Sequence, residues 1–426
     1  MNYMKIKNIQ ALATNQLRAD GLAILEAGLL AIDTRIAVKD AVSRTETALF
    51  IAGKVYSMSD FDRVRVVAIG KCAGDAVVAL YEVIGENIYD GIVIDTRSQK
   101  MPSSVNLLVG SHPLPKKENI EATKQVLEFL KSCTERDLVI VVVSGGGSAL
   151  LCQPGDNMTI EDELYVTEQL MRSGATIQEI NIVRKHLSLA RGGGLAVASY
   201  PATAASLIFS DVPGDDIAFI SSGPTVMDET TVEDAQRVLS SYGINDVALL
   251  ETSKDKDKFS RVTNTVIVSN VLALEAMRQE ALKRGYDVSV ENTKLTGEAR
   301  DVSYTIINAL HEARPKTALL YGGETTVKLD GSSGTGGRNQ EVALAGLEHI
   351  TEGELLLACA SDGRDNTDVA GALCDTVVRE ASEAHALSIK DALARHDSYV
   401  FFKTVGAQIE TGPTGSNIAD IIIALK

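Results

Sequence analysis

Apolar residues in this chain fall into two patterns that alternate along its length: short continuous runs, and longer stretches in which they recur with a period near 3.6. The continuous runs predict strands at 63–70 (RVRVVAIG), 138–143 (LVIVVV), 204–209, 266–268, 286–290, 318–321 and 355–360, with weaker ones at 91–95 and 106–110. The helical pattern covers 72–81, 117–131, 159–191, 271–284 and 298–313, and two amphipathic helices over 10–33 and 36–48 open the chain. The LVIVVV run has no polar face, as expected of a strand in the middle of a parallel sheet covered on both sides. Strand and helix in alternation predict βα units and an α/β fold. At 426 residues the chain exceeds one ordinary core. Its one charged, apolar-poor run, TSKDKDKFSRVTN, places a boundary that divides it into domains 1–250 and 251–426.

Charge narrows the partners. A net charge of −16 and a pI near 4.9 exclude a basic nucleic-acid groove, and an aromatic content of 4% without tryptophan excludes stacking platforms. No apolar run reaches the roughly 18 residues of a membrane span. The N-terminus carries no hydrophobic signal core, so a cytoplasmic protein is expected. Five cysteines without a CxxC pair fit buried thiols in a reducing compartment and make a zinc site improbable.

Within this frame, several motifs at predicted strand ends carry chemistry. YGGETTVKLDGSSGTGGRNQEVAL reads as strand, glycine loop and helix, with Arg338 opening the helix beside Gly334, Gly336, Gly337 and Asn339. Glycines let backbone N–H groups fold toward an anion, and a helix start with a guanidinium adds a bidentate grip on phosphate or carboxylate. Lys71 follows the first strand, where a cation opposes the helix dipole unless an anion binds. The run Ser144, Gly145, Gly146, Gly147, Ser148 after LVIVVV forms a second nest. It has neither Walker A spacing nor a GxGxxG dinucleotide fingerprint. Asn181, Arg184, Lys185 and His186 lie close together on a helix, and alone they read as a solvated charged face. Asp211, Asp215 and Asp216 in SDVPGDD, with Asp362 in SDGRDNTD, offer oxygen ligands suited to magnesium, and one carboxylate would be left to take a hydroxyl proton. Asp215 is the candidate catalytic carboxylate. Cations, glycine nests and acidic loops together are what phosphoryl transfer requires, which predicts a kinase of a small anionic substrate.

The runs SGGGSALL, NIVRKHLSLARGGGLA, SDVPGDDIAFISSGPT, GGETTVKLDGSSGTGGRNQE, SDGRDNTDVAGA and TGPTGSNIAD resemble, in order and over most of the chain, the glycerate kinases of the MOFRL type. The resemblance implies two α/β domains, a Rossmann-like parallel-sheet N-terminal domain and a mixed α/β C-terminal one, with the active site in the cleft between them. It implies ATP-dependent phosphorylation of D-glycerate to 2-phosphoglycerate with Mg2+ or another divalent cation. The family's catalytic lysine and arginine land on Lys71 and Arg338, which with Arg184 are the candidate substrate-binding residues. The two nests are candidates for the ATP phosphates. Small molecules, D-glycerate and ATP, are the expected partners of a monomer or homodimer, with no nucleic acid and no membrane. Alternatives are a non-catalytic sugar-acid phosphate-binding protein and a hydroxypyruvate reductase, an older label in the family. The reductase would want a dinucleotide fingerprint, which is absent.

Overall fold

The computed structural model describes residues 4–156, 158–212, 214–329, 331 and 334–426; Ser332 and Ser333 of the glycine loop and Pro213 of the acidic loop lie outside them. The chain divides into two compact units. One is Thr34–Ile267, and the other joins Met1–Asp33 to Val268–Lys426.

The Thr34–Ile267 unit is built on a six-stranded sheet, with spatial order Val105–Val109, Ile88–Asp95, Arg63–Ile69, Asp137–Val143, Thr203–Phe209, Val262–Val268. Numbered along the chain this is 3-2-1-4-5-6, the doubly wound dinucleotide-fold order, and the first four pairings are parallel. The LVIVVV strand does sit inside the sheet, paired on both sides by Arg63–Ile69 and Thr203–Phe209, with all seven residues buried. The helix Lys117–Lys131 lays Val126, Leu127 and Leu130 against Val139, Val141 and Val143, completing a βα layer.

Several predicted elements are redrawn. The helix expected over 36–48 stops at Ala41, and residues 42–57 form a small antiparallel sheet, consistent with the β-branched and aromatic residues of ALFI and KVYS. The helical stretch over 159–191 splits into Ile160–Arg172 and Ile177–Lys185, each started by a threonine capping box.

The second unit holds a mixed sheet of order Asp287–Glu298, Thr317–Thr326, Asp420–Leu425, Leu355–Ala360, Gly371–Cys374, Gln408–Ile409. Only its first pair is parallel; the rest run antiparallel. Its inner strand Asp420–Leu425 was not among the predicted elements, although DIIIAL is apolar enough to have shown it. The first 33 residues belong here and not with the sheet that follows them in sequence. Helix Gln16–Ala31 packs so closely on this sheet that a Cβ on Gly21 would stand 2.6 Å from Leu357 and 2.7 Å from Leu355. Arg18 forks onto Asp375 at 2.6 and 2.7 Å, both residues buried.

Candidate functional site

In a 3-2-1-4-5-6 sheet the ligand crevice opens where strand order reverses, outside the carboxyl ends of strands 1 and 4. Those ends are Gly70–Lys71 and Ser144–Ser148, so the first cationic residue and the second glycine nest occupy one place. Backbone hydrogen bonds knit them: Ser144 N–H donates to Ile69 at 2.9 Å and Lys71 N–H to Gly145 at 3.0 Å. Gly70 has φ +127°, and a Cβ there would meet the Ser144 hydroxyl at 2.0 Å, so this approach needs glycine. The Ser144 side chain is buried and directed back to the Ile69 carbonyl, which makes it part of the scaffold of the nest. Gly145 and Gly146 keep N–H groups without an intramolecular acceptor among the described residues. The Lys71 side chain is exposed and carries no ion pair among them.

Other elements converge on the same loop. Arg184 Nη2 donates to the Ser148 carbonyl at 3.0 Å, while its Nε is buried without an acceptor; burial and neighbouring Arg191 lower its pKa to about 10. Arg191 is fully buried, paired with Glu163 at 2.7 Å and donating to Ser148 O at 2.6 Å. Ser148 and Ser222 hydroxyls meet at 3.0 Å, and Ser221 donates to Ser144 O, so the SSGPT turn closes over Gly147. Asp211 lies against Gly145, a Cβ on which would be 2.6 Å from its Oδ2; desolvation raises its pKa, opposed by its own backbone N–H and by Lys71. Asp215 has φ +56° and its carboxylate makes no hydrogen bond among the described residues, whereas Asp216 accepts from Ala218 N–H at 3.0 Å.

The helix carrying Arg184 is not the solvated face its sequence suggested. Asn181, Lys185 and His186 are buried, and Lys185 pairs with buried Asp228 at 3.2 Å. Only Arg184 of this group reaches the nest.

The first strand–helix turn departs from expectation in a different way. Three of its amides are spent internally: Cys72 N–H on Ser144 Oγ at 3.5 Å, Ala73 N–H on Gly70 O at 3.2 Å, and Gly74 N–H on buried Asp95 at 2.9 Å. Three amides of this helix start are therefore not offered to a dinucleotide pyrophosphate, which counts against the reductase alternative.

In the second unit, Arg338, Gly334, Gly336, Gly337 and Asp362 line a cavity of about 720 Å3 together with Arg364. The expectation of a helix start open to anions is corrected here. Helix Arg338–Gly346 is capped by Asp365, which accepts from Asn339 N–H at 3.0 Å and Gln340 N–H at 2.8 Å and from both side-chain amides. Asn339 is fully buried in this cap and does not line the cavity. The glycines serve close packing: Cβ atoms at Gly334, Gly336 and Gly337 would each come 2.0 Å from Arg395 O, Ser398 Oγ and Asp365 O. Arg338 forks onto Asp420 at 2.6 and 3.0 Å and touches exposed Glu324 at 2.5 Å. Burial raises the Asp420 pKa to about 6 in spite of this guanidinium. Asp362 accepts from Arg364 N–H at 2.9 Å.

Residues 20–252 match a domain of unknown function (DUF4147) and residues 317–420 match the MOFRL family. A glycerate 2-kinase of Pyrococcus horikoshii is 34% identical, over 96% of this chain and 97% of that protein. The chain belongs to the MOFRL-type glycerate kinase family. A D-glycerate 2-kinase of Thermotoga maritima is 36% identical over 86% of this chain and 91% of its own length. The crystal structure of a Thermotoga maritima glycerate kinase superposes with a TM-score of 0.87 at 33% identity, covering 96% of this chain and 99% of that one.

For a member of this glycerate kinase family, the metal expectation needs a restricted form. Among the described residues no three His, Cys, Asp or Glu side chains converge on a point. Asp211, Asp215 and Asp216 therefore build no closed cage, and Asp362 lies in the other unit. Magnesium commonly takes one or two carboxylates plus phosphates and waters, and the carboxylates of Asp211 and Asp215, without an ion pair among the described residues, suit that mode. Sequence reasoning missed Asp95, the cap Asp365 and the Arg338 partner Asp420. Asp365 stands in the SDGRDNTD run with Asp362, but its cap on helix Arg338–Gly346 joins residues 26 positions apart that no local pattern links.

Proposed function

We propose that this chain transfers the terminal phosphoryl group of ATP to the 2-hydroxyl of D-glycerate, giving 2-phosphoglycerate. The observation that carries the reading is Lys71. In a chain of the glycerate kinase family, an ammonium without an ion pair among the described residues stands at the sheet's switch point beside two amides without acceptors among them. A cation left unpaired in that position is matched by an anionic ligand.

Phosphoryl transfer is catalysed largely by positioning and charge neutralisation. Lys71, the Gly145 and Gly146 amides and Arg184 would hold phosphate or carboxylate oxygens, with Lys71 acting as a compact charge. Asp211 or Asp215 would hold a divalent cation, which neutralises phosphate charge when bound. In the second unit Arg338 presents a guanidinium oriented by Asp420, and Arg364 adds a second cation on the cavity wall. No helix among the described residues is long and apolar enough to cross a membrane.

Incubation with D-glycerate, ATP and magnesium should release ADP, and phosphorus NMR should identify 2-phosphoglycerate. The 3-phosphate as product would overturn the regiochemistry. Binding without ADP release would favour the non-catalytic binder, and NADH oxidation with hydroxypyruvate would favour the reductase.

A further inference from the structure

The His112 ring lies in the switch-point crevice, against Gly146 of the nest. A Cβ placed on Gly146 would stand 3.0 Å from His112 Cδ2, 3.3 Å from His112 Nε2 and 3.2 Å from Lys71 Cε. The imidazole and the lysine therefore pack side by side over one glycine of the nest, with the Nε2 edge turned to it. Neither ring nitrogen makes a hydrogen bond or ion pair among the described residues. This contrasts with buried His186, whose Nδ1 meets Ile182 O at 2.9 Å, and with His396, which contacts Glu341 at 3.1 Å. Much of the ring is open to solvent, so a molecule entering the crevice meets it directly.

We infer that His112 is a catalytic residue that takes the proton from the substrate hydroxyl as phosphoryl transfer begins. The inference rests on the kinase reading. In the step, the hydroxyl O–H bond breaks and its proton passes to His112 Nε2. The substrate oxygen forms a bond to the terminal phosphorus as the bridging P–O bond breaks, and that electron pair leaves with ADP. The proton is later released to water. A base must be neutral before the step. Partial desolvation first, and the Lys71 charge second, hold the His112 pKa below the ordinary imidazole value. Lys71, which favours the neutral ring, would at the same time attract the anion that brings the hydroxyl. Asp215, the carboxylate candidate for this role, then remains available to a divalent cation.

The test compares His112→Ala, His112→Gln and Asp215→Asn in the full chain, with glycerate binding followed by calorimetry beside turnover. General base loss commonly costs 10²–10⁴-fold. The His112 variants should lose at least about 100-fold in kcat, keep glycerate affinity within about threefold, and melt like the wild type. Added imidazole should restore His112→Ala and leave Asp215→Asn unaffected. A His112→Gln enzyme within threefold of wild-type kcat would overturn the assignment. So would loss of turnover in His112→Ala that imidazole leaves untouched, or lost glycerate binding in both His112 variants, which would make the ring a binding or packing group. A wild-type protein that binds glycerate but forms no ADP would instead overturn the kinase reading, and the base assignment with it.

Discussion

At the scale of single residues, Lys71 and Arg338 are both cations and behave as opposites. Lys71 has no ion pair among the described residues, so its removal loses little beyond its electrostatic pull on Asp211. We expect Lys71→Ala to lower kcat about 100-fold, the size of comparable electrostatic losses. Its stability should stay within about 0.5 kcal/mol of wild type, read from denaturant melts with steady-state rates alongside. Arg338 neutralises buried Asp420. Arg338→Lys keeps the charge and loses the fork, so kcat/KM should fall at least tenfold, about 1.4 kcal/mol of transition-state stabilisation. A residue that merely opens a helix could be removed without loss of stability, but this one cannot. Arg338→Ala strands a buried carboxylate and should cost about 3 kcal/mol in a chemical melt. Adding Asp420→Asn to it should return much of that stability while leaving turnover low, since the stranded charge is gone and the guanidinium is still missing. Equal melting of wild type and Arg338→Ala would show that Asp420 is solvated.

At the scale of elements, what the sequence revealed depended on whether a signal was local. Strand 355–360 and helix 117–131 are found where their periodicity placed them. The glycine loops at 144–148 and 331–337 were singled out as anion nests, and in the second case the glycines also serve close packing. Gly336 and Gly337 make room for Ser398 and Asp365, contacts some 60 and 28 positions away that no spacing rule encodes. The same holds for the start of helix Arg338–Gly346, whose amides are taken by Asp365 from the loop after a different strand. The Asp365 carboxylate accepts four hydrogen bonds among the described residues and is buried, and burial raises its pKa against the pull of those amides. We therefore expect Asp365→Ala to destabilise by about 2 kcal/mol, the upper end for lost caps, because Asn339 and Gln340 N–H groups would be left dry. Amide exchange localised to the first turn of this helix would report it. Asp365→Ala with unchanged exchange there would mean that another acceptor replaces the carboxylate.

At the scale of the whole molecule, contiguity in sequence misled. A single cut at 250 followed the one charged run, but Met1–Asp33 belongs with residues after Val268, fastened by the buried Arg18–Asp375 fork. Sequence distance hides such a return of the chain. The charge balance has a more direct consequence for function. A protein of net charge −16 repels polyphosphate at long range, so the nucleotide must be neutralised close to the nest or before it arrives. Among the described residues around the nest, Lys71 and Arg184 are the cations without a carboxylate partner, and two positive charges do not balance a triphosphate. The acidic loop adds Asp211, Asp215 and Asp216 to the deficit rather than relieving it. A divalent cation resolves both problems, since it lowers the charge of the nucleotide and gives the Asp211 and Asp215 carboxylates a counter-charge. Exhaustive EDTA treatment should therefore reduce ADP formation to a few per cent or less, and magnesium in excess should restore it. Asp211→Asn should raise the magnesium concentration needed for half-maximal rate. Full turnover in EDTA would mean that protein cations alone neutralise the transferring phosphate, and the acidic loop would then have to be reread as a turn.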